Sequence, residues 1–521
     1  MVRPRLLHDI VSAMHVHKLG HVCTVAKLQI ITSINGSPNW QIGQIYERNR
    51  MKTVIVVLSL SLCQLVSSIT RATCSLPGAM QGKCQCQGNI VKCEDLDYIA
   101  TQTGGSAFLR LEVRNSNLSI NASSFNSWGL TEILLENCQL TDSSFPPGDF
   151  HGLENSLRLL SLKDNELTRL PKFLSKFTNI ETLDVSGNPI PHYNFNEDIL
   201  RDIGDSLLSF SFGTKIGGTE LSQWPLTLKH LVKLQEIILT AADITLMPIN
   251  SFHGFEGTLL RLTLANTKLR SVPLAISRLR YLQDLHFDHN QNVGDYGVRI
   301  PLIKGFLPFL NQMSLKDDNI TTFPEVLQSF DRLDQLNMDE NNLKFVSDKS
   351  AKAVTQITSL SLQHSGITRI PGAIQDITYL NILDLSNNSI HAIETNDLKE
   401  SAELLTLKLN NNPILYISDK AFVNQTKLRR LELKGIAIKR VPCALEAMIR
   451  RHQPGYVIVD LSNNKIECNC GLKWLFDVKN DRHTRTRFRI VGNCDTVDKT
   501  IQDYLDSDLA TCPNGINCTD S

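Results

Sequence analysis

The stretch Leu380-Asn-Ile-Leu-Asp-Leu-Ser-Asn-Asn-Ser-Ile390 follows the pattern L-x-x-L-x-L-x-x-N-x-L, in which x is any residue. Close copies of this pattern occur at residues 157–167, 180–190, 333–343, 404–414 and 456–466. Looser copies begin at Phe108, Leu130, Leu234, Leu259, Leu282, Leu310, Ile357 and Leu428, and an irregular one lies near Leu207. Together they make about fifteen units at a spacing of about 22 to 28 residues, so the chain is built from repeats.

The repeat predicts the architecture, because a unit this short cannot bury its own apolar side chains and must share a core with its neighbours. In each L-x-L segment the leucines point inward and the alternate residues point outward, as they do in a β-strand. Stacked strands form a parallel sheet on the concave face of a curved α/β solenoid, or horseshoe. The asparagine at the ninth position follows the strand, where its amide can bond backbone groups of two repeats. A ladder is therefore predicted at Asn165, Asn188, Asn290, Asn341, Asn388, Asn412 and Asn464.

The pattern is the signature of the leucine-rich repeat, whose ninth position accepts asparagine or cysteine. In residues 130–140 this position is Cys138, which we interpret as a buried structural thiol. Residues 108–466 are predicted to form the repeats.

The region before the repeats resembles a secretory leader. Residues 51–70 begin Met51-Lys-Thr-Val-Ile-Val-Val-Leu and combine a positive residue, an apolar run and small residues at 66–68, which predicts a signal peptide. Residues 1–50 carry no repeat and are interpreted as an upstream extension outside the mature protein. The alternative is a type II signal anchor with a short cytoplasmic tail. No other stretch is long and apolar enough to span a bilayer, which predicts a secreted, extracellular protein.

The sequence has 53 Lys and Arg residues and 53 Asp and Glu residues, so its formal net charge is zero. This balance favours neither a nucleic acid nor a membrane surface as partner. The sequence contains no nucleophile elbow, phosphate loop, dinucleotide fingerprint or metalloprotease histidine pair. We therefore expect no enzyme activity, no cofactor and no metal site.

Cysteines cluster at both ends of the repeats: Cys74, Cys84, Cys86 and Cys93 precede them, and Cys468, Cys470, Cys494 and Cys512 follow. A solenoid exposes apolar ends that need caps, and in an oxidising compartment these cysteines predict disulfide-linked caps at 74–107 and 467–512. The alternative is a zinc site. Residues 513–521 are a tail.

The motifs Cys84-Gln-Cys86 and Cys468-Asn-Cys470-Gly-Leu-Lys-Trp474 resemble the caps of extracellular leucine-rich-repeat proteins such as Slit, Toll ectodomains, chaoptin and connectin. The resemblance implies the pairs Cys74–Cys86, Cys84–Cys93, Cys468–Cys494 and Cys470–Cys512. Two cysteines remain, Cys443 and Cys518, which could pair with each other, stay free or link two chains into a dimer.

Three sets of surface residues are candidate sites. Outward positions of neighbouring repeats predict an acidic, histidine-bearing patch for a partner, sensitive to pH or cations, at His286, Asp288, His289, Asp317, Asp339, Glu340 and His364. A basic row that could bind sulfated glycosaminoglycan consists of Arg482, Arg485, Arg487 and Arg489. Glycosylation sequons occur at Asn117, Asn121, Asn319, Asn387, Asn424 and Asn517. For each of the first two sets the alternative is an ordinary solvated surface.

These features predict a secreted, non-enzymatic protein that binds a protein or glycoprotein through its concave face, in matrix, adhesion, guidance or immune recognition. One alternative is a non-catalytic subunit that stabilises a secreted enzyme, because the chain resembles the leucine-rich-repeat subunit of Oplophorus luciferase at the level of the repeat. Another is a shed receptor-like ectodomain that acts in innate immunity.

Overall fold

The structure is a computed structural model. It describes residues 76, 80–101, 108–121, 124–125, 128–146, 150–298, 307–344, 355–451, 455–481, 487–513 and 518. The predicted upstream extension, the signal peptide, Cys74, Arg482, Arg485 and Asn517 lie outside these residues.

Short strands recur once per repeat, as the alternation of leucines predicts. The strands are β1 Cys84–Gln87, β2 Ile90–Glu94, β3 Arg110–Arg114, β4 Glu132–Glu136, β5 Leu159–Ser161, β6 Thr182–Asp184, β7 Ser209–Phe212, β8 Glu236–Ala242, β9 Arg261–Thr267, β10 Asp284–His286, β11 Gln312–Ser314, β12 Gln335–Asn337, β13 Ser359–Ser361, β14 Ile382–Asp384, β15 Ala392–Ile393, β16 Thr406–Lys408, β17 Tyr416–Ile417, β18 Arg430–Glu432, β19 Tyr456–Asp460 and β20 Arg487–Val491.

Over the described residues, all of these strands except β15 and β17 form one sheet of 18 strands. Only β1 and β2 pair antiparallel, and from β2 onward each strand pairs in parallel with the next repeat. The register places equivalent leucines side by side, for example Leu360 beside Leu383 and Leu383 beside Leu407. These side chains are fully buried in a single core that runs the length of the sheet. The predicted parallel-sheet solenoid is therefore confirmed.

The predicted asparagine ladder is also confirmed. Asn388, which is 7% exposed, accepts hydrogen bonds at Oδ1 from the backbone amides of Ser365 (2.9 Å) and Ile367 (3.1 Å). Its Nδ2 donates to the carbonyl oxygens of Leu362 (2.8 Å) and Leu385 (2.9 Å). Each side chain thus joins its own turn to the preceding repeat and satisfies backbone groups that would otherwise be buried without partners.

Short helices connect the strands on the opposite side of the core. Among the described residues, six 3₁₀ helices start directly after a proline, whose fixed φ suits a helix start. They are Lys172–Lys176, His192–Asn194, Leu226–His230, Leu274–Arg278, Glu325–Ser329 and Gly372–Asp376. The other described 3₁₀ helices are Asp142–Ser144, Cys470–Leu472 and Leu509–Thr511. The α-helices are α1 Glu197–Ile203, α2 Gly294–Gly297, α3 Ala444–Arg451, α4 Lys473–Asn480 and α5 Ile501–Ser507.

Disulfide bonds lie at both ends of the sheet. Cys84 and Cys93 are joined across the β1–β2 hairpin. At the other end, disulfides join Cys468 to Cys494 and Cys470 to Cys512 around helices α4 and α5. These are three of the four pairs that the resemblance implied. Cys86 is also disulfide-bonded, and its expected partner, Cys74, lies outside the described residues.

Cys443 and Cys518 form a disulfide within the chain. The bond joins the residue before α3 to Cys518 and leaves neither sulfur for a second chain. The disulfide-linked dimer that the sequence left open is therefore wrong for this pair.

Cys138 is the free cysteine of the described region and is fully buried. Its Sγ lies 3.4 Å from the carbonyl oxygens of Val113 and Glu136. Burial raises the pKa of the thiol to about 12, so it stays protonated at physiological pH. The sulfur fills the place of a ladder asparagine.

Candidate functional site

The acidic residues predicted from the repeat register come together on successive strands. We call the concave patch the set His286, Asp288, His289, Asp317, Asp339, Glu340 and His364. His286 ends β10, and Asp288 and Asp339 follow β10 and β12 by two residues. The other four occupy the turns just past the strands, where each adopts a positive φ: His289 59°, Asp317 55°, Glu340 60° and His364 51°. The patch therefore extends from the concave face onto one edge of the sheet.

Side chains from neighbouring repeats are in direct contact within this patch. His289 Nδ1 lies 3.0 Å from Asp317 Oδ2, and Gln291 Nε2 donates to both oxygens of Asp317 at 3.2 Å. Lys316 Nζ lies 3.0 Å from Glu340 Oε1, and this hydrogen bond raises the pKa of Lys316. The patch is thus cross-linked along the solenoid by polar contacts, which hold its charges about one strand spacing apart.

The surroundings of each carboxylate decide its charge. Burial raises the pKa of Asp339, although Ser361 and the amide of Gln363 donate to it, both at 2.7 Å. At Asp288 burial is outweighed by hydrogen bonds, including one from the amide of Lys316 at 3.0 Å, and the pKa falls below its ordinary value. The Asp288 carboxylate lies 3.8 Å from His286 Nδ1 and raises the pKa of that imidazole. His286 therefore gains a proton more readily than a free histidine.

Several acidic side chains on the flanking strands have basic partners. On the N-terminal side Arg110 pairs with Glu132 at 2.9 Å and Arg261 with Glu236 at 2.8 Å. On the C-terminal side the pairs are Lys408–Asp384 at 3.1 Å and Lys434–Asp460 at 3.3 Å. Within the concave patch, the only Lys or Arg ion pair among described residues is the one between Lys316 and Glu340. The four carboxylates of the concave patch thus share one Lys or Arg partner, whereas each of these flanking carboxylates has its own.

Two grooves meet at the concave patch. One, of about 610 Å³, is lined by Gln291, Asp317, Asn319, Glu340, Lys344 and His364. The other, of about 530 Å³, runs towards Ile216. It is lined by Gln291 and Asp317, which also line the first groove, and by His289 of the concave patch. Ile216 is 84% exposed, so an apolar side chain stands beside the acidic surface. The structure thus combines concavity and net negative charge in one place.

Sequence reasoning missed Asp318, which occupies the ninth position of its repeat where asparagine is usual. It is 0% exposed, and its Oδ1 accepts from the backbone amide of Asn290 at 2.8 Å, as a ladder asparagine does. Oδ2 has no hydrogen-bond partner. Burial, with a smaller contribution from the nearby charges of Asp288 and Asp317, raises the pKa of Asp318 to about 8. A count along L-x-x-L-x-L-x-x from Leu310 would have found this residue.

Only part of the basic row is described. Strand β20 alternates as predicted, with Arg487 and Arg489 exposed and Phe488 and Ile490 buried. It pairs with β19 in parallel and ends the sheet. Among the described sequons, Asn117, Asn121 and Asn319 are exposed, whereas Asn387 and Asn424 are partly buried. Asn319 lines the larger groove, so a glycan there would lie beside the concave patch.

The fold is that of a leucine-rich-repeat solenoid. The sequence profile of the leucine rich repeat family matches residues 331–390 and 355–414. No curated protein matches the chain. Among the residues that the structure describes, no helix has the length and apolarity needed to cross a membrane.

Several solved structures resemble the chain. A leucine-rich-repeat protein of Leptospira interrogans is 21% identical with a TM-score of 0.49, over 73% of this chain and 90% of that one. A glycosylated form of the Drosophila Toll–Spatzle complex gives 15% identity and a TM-score of 0.48, over 80% and 75% of the two chains. The plant peptide hormone receptor RGFR1, solved with RGF2, gives 17% identity and a TM-score of 0.40, over 79% and 72%.

Proposed function

We propose that this chain is a secreted, non-enzymatic protein that binds a protein or glycoprotein partner with a basic surface through the concave patch. The observation that carries the proposal is the excess of carboxylates over Lys and Arg partners in the concave patch, beside strands on which several carboxylates are paired. A basic partner would gain attraction there, and among the described residues only Lys316 competes with it as a Lys or Arg partner of the patch. Complementary charge of this kind mainly raises association rate and specificity.

Extracellular location is supported by the disulfides at both ends of the sheet, because such bonds persist in oxidising compartments. The leader-like residues 51–70 agree with it. Binding as the activity is supported by the form of the molecule, because a solenoid offers an extended concave surface. Matrix, adhesion, guidance and immune recognition all use surfaces of this kind.

The proposal is tested by capturing partners from extracellular fluid on the immobilised mature chain. A patch variant carries Asp288→Asn, Asp317→Asn and Asp339→Asn. A matched control carries Asp198→Asn, Asp202→Asn and Asp205→Asn, which remove three exposed carboxylates in and beside α1. We expect wild type and control to retain the same basic protein and the patch variant to lose it.

Equal capture by all three proteins would contradict the proposal. Retention of a secreted enzyme would instead favour the role of a stabilising subunit. Retention of sulfated polysaccharide, lost when Arg487 and Arg489 are replaced by glutamine, would assign binding to the basic row at the end of the sheet.

A further inference from the structure

We propose that His289, Asp317 and Glu340 form a binding site for a divalent transition-metal ion of the Zn²⁺ type. The three residues lie at the edge of the sheet, within the concave patch. This inference goes beyond the proposed function, because the patch could bind a basic protein whether or not it holds a metal.

The repeat itself aligns the three side chains. Each follows its strand by the same number of residues and sits in the same left-handed turn. The amide of His289 donates to the carbonyl of Lys316 at 2.7 Å, that of Asp317 to Asp339 at 3.0 Å, and that of Glu340 to Gln363 at 2.7 Å. The backbone therefore fixes the three turns one repeat apart, and the side chains must emerge side by side.

The distances suit chelation. One ligand atom from each residue, a ring nitrogen of His289 and a carboxylate oxygen of Asp317 and of Glu340, lies within 4.8 Å of the other two. With Zn–N and Zn–O bonds of about 2.0–2.2 Å, two ligands of one zinc ion are about 2.9–3.5 Å apart. His289 Nδ1 and Asp317 Oδ2 are already at 3.0 Å. The Glu340 side chain is 41% exposed, so its carboxylate can adjust to complete the site.

The donor set selects the class of metal. Imidazole nitrogen with carboxylate oxygens suits Zn²⁺ and its neighbours in the transition series, whereas Ca²⁺ and Mg²⁺ prefer oxygen ligands throughout. The side chains of His289 and Asp317 are 35% and 27% exposed, so water or a partner's side chain can fill the remaining positions. Such a site is open on one side and could join the chain to a second molecule.

One neighbouring residue, Lys316, disfavours metal binding. Lys316 Nζ pairs with Glu340 Oε1 at 3.0 Å and so competes with the ion for the Glu340 carboxylate. Its charge also repels a cation. Replacing Lys316 with an uncharged residue of similar length should therefore tighten binding, an effect that mere damage to the turn would not produce.

The test is calorimetric titration of ZnCl₂ into the untagged, disulfide-intact protein at pH 7.5, with melting midpoints in EDTA to show that each variant is folded. We expect saturable binding of one Zn²⁺ by the wild type and no saturable binding of Ca²⁺. His289→Ala and the nearly isosteric Asp317→Asn should each weaken Zn²⁺ binding by about tenfold or more, and Lys316→Met should strengthen it.

A matched control comes from the same chain. His253 Nδ1 lies 3.3 Å from Glu256 Oε1 on an exposed turn, and the pair belongs to no three-residue ligand cluster within the described residues. His253→Ala should leave Zn²⁺ binding unchanged. The proposal is overturned if the wild type shows no saturable Zn²⁺ binding, or if His253→Ala weakens it as much as His289→Ala does. Equal affinity for Ca²⁺ would overturn the assigned class of metal.

Discussion

Replacing Asp318 with asparagine should stabilise the protein, and the gain should grow with pH. Asp318 is fully buried in the ladder position, and its Oδ2 has no partner. Oδ1 of Asp318 accepts a backbone hydrogen bond, as the side-chain oxygen of a ladder asparagine does. Oδ2 therefore lies where a ladder asparagine such as Asn341 has Nδ2, which donates to carbonyl oxygens. Only a protonated carboxyl group can donate there.

The size of the pH-dependent stabilisation follows from the linkage between folding and proton binding. The pKa of Asp318 rises from 3.8 to about 8 on folding, mainly through burial. Between these values the folded protein holds a proton that the unfolded chain has released, so the free energy of unfolding falls as pH rises, by about 1.4 kcal/mol per pH unit. Asp318→Asn removes this dependence. Between pH 5 and pH 7 its advantage over the wild type should grow by about 2–3 kcal/mol.

Urea denaturation of the disulfide-intact protein, followed by far-ultraviolet circular dichroism at pH 5, 6 and 7, measures this difference. Asp198→Asn, which removes an exposed carboxylate on α1, is the control and should follow the wild type at every pH. An equal gain for Asp318→Asn at pH 5 and pH 7 would contradict this prediction, because it would mean that Asp318 does not hold its proton in the folded state.

Two further changes test the hydrogen bonds and the disulfide that stabilise the solenoid. Asn388→Leu should destabilise the folded protein by about 2–4 kcal/mol, because the backbone amides of Ser365 and Ile367 and two carbonyl oxygens lose their hydrogen-bond partner. An unchanged denaturation midpoint would show that the asparagine ladder contributes little to stability. Cys443→Ser with Cys518→Ser opens a loop of 75 residues and should cost about 2–4 kcal/mol. The wild type should also run as a monomer without reductant, and a disulfide-linked dimer would contradict the pairing.

The sequence predicts the sheet and its register because one short pattern repeats with little drift. Stacking of the repeats places Leu360, Leu383 and Leu407 in adjacent strands, so the residues of the concave patch could be foreseen to lie together. What the pattern cannot give is the direction of long side chains. The 3.0 Å contact of His289 with Asp317 and the competing pair Lys316–Glu340 depend on rotamers.

The ends of the chain follow no repeat and were less predictable. Cys443 lies just before helix α3 and Cys518 in the tail, and their pairing depends on how those segments fold back on the last repeats. Asp318 differs from these cysteines: a count from Leu310 gives its ladder position, but the pattern does not show the protonation that a buried carboxylate requires.

We propose that the concave patch is the surface that binds the partner. The most direct measurement compares the amount of a basic protein captured from extracellular fluid by the wild type, the patch variant and the α1 control variant at equal loading. We expect equal capture by the wild type and the α1 control variant and loss of capture by the patch variant, with the difference diminishing in high salt. Undiminished capture by the patch variant would contradict it and place the binding surface elsewhere on the solenoid.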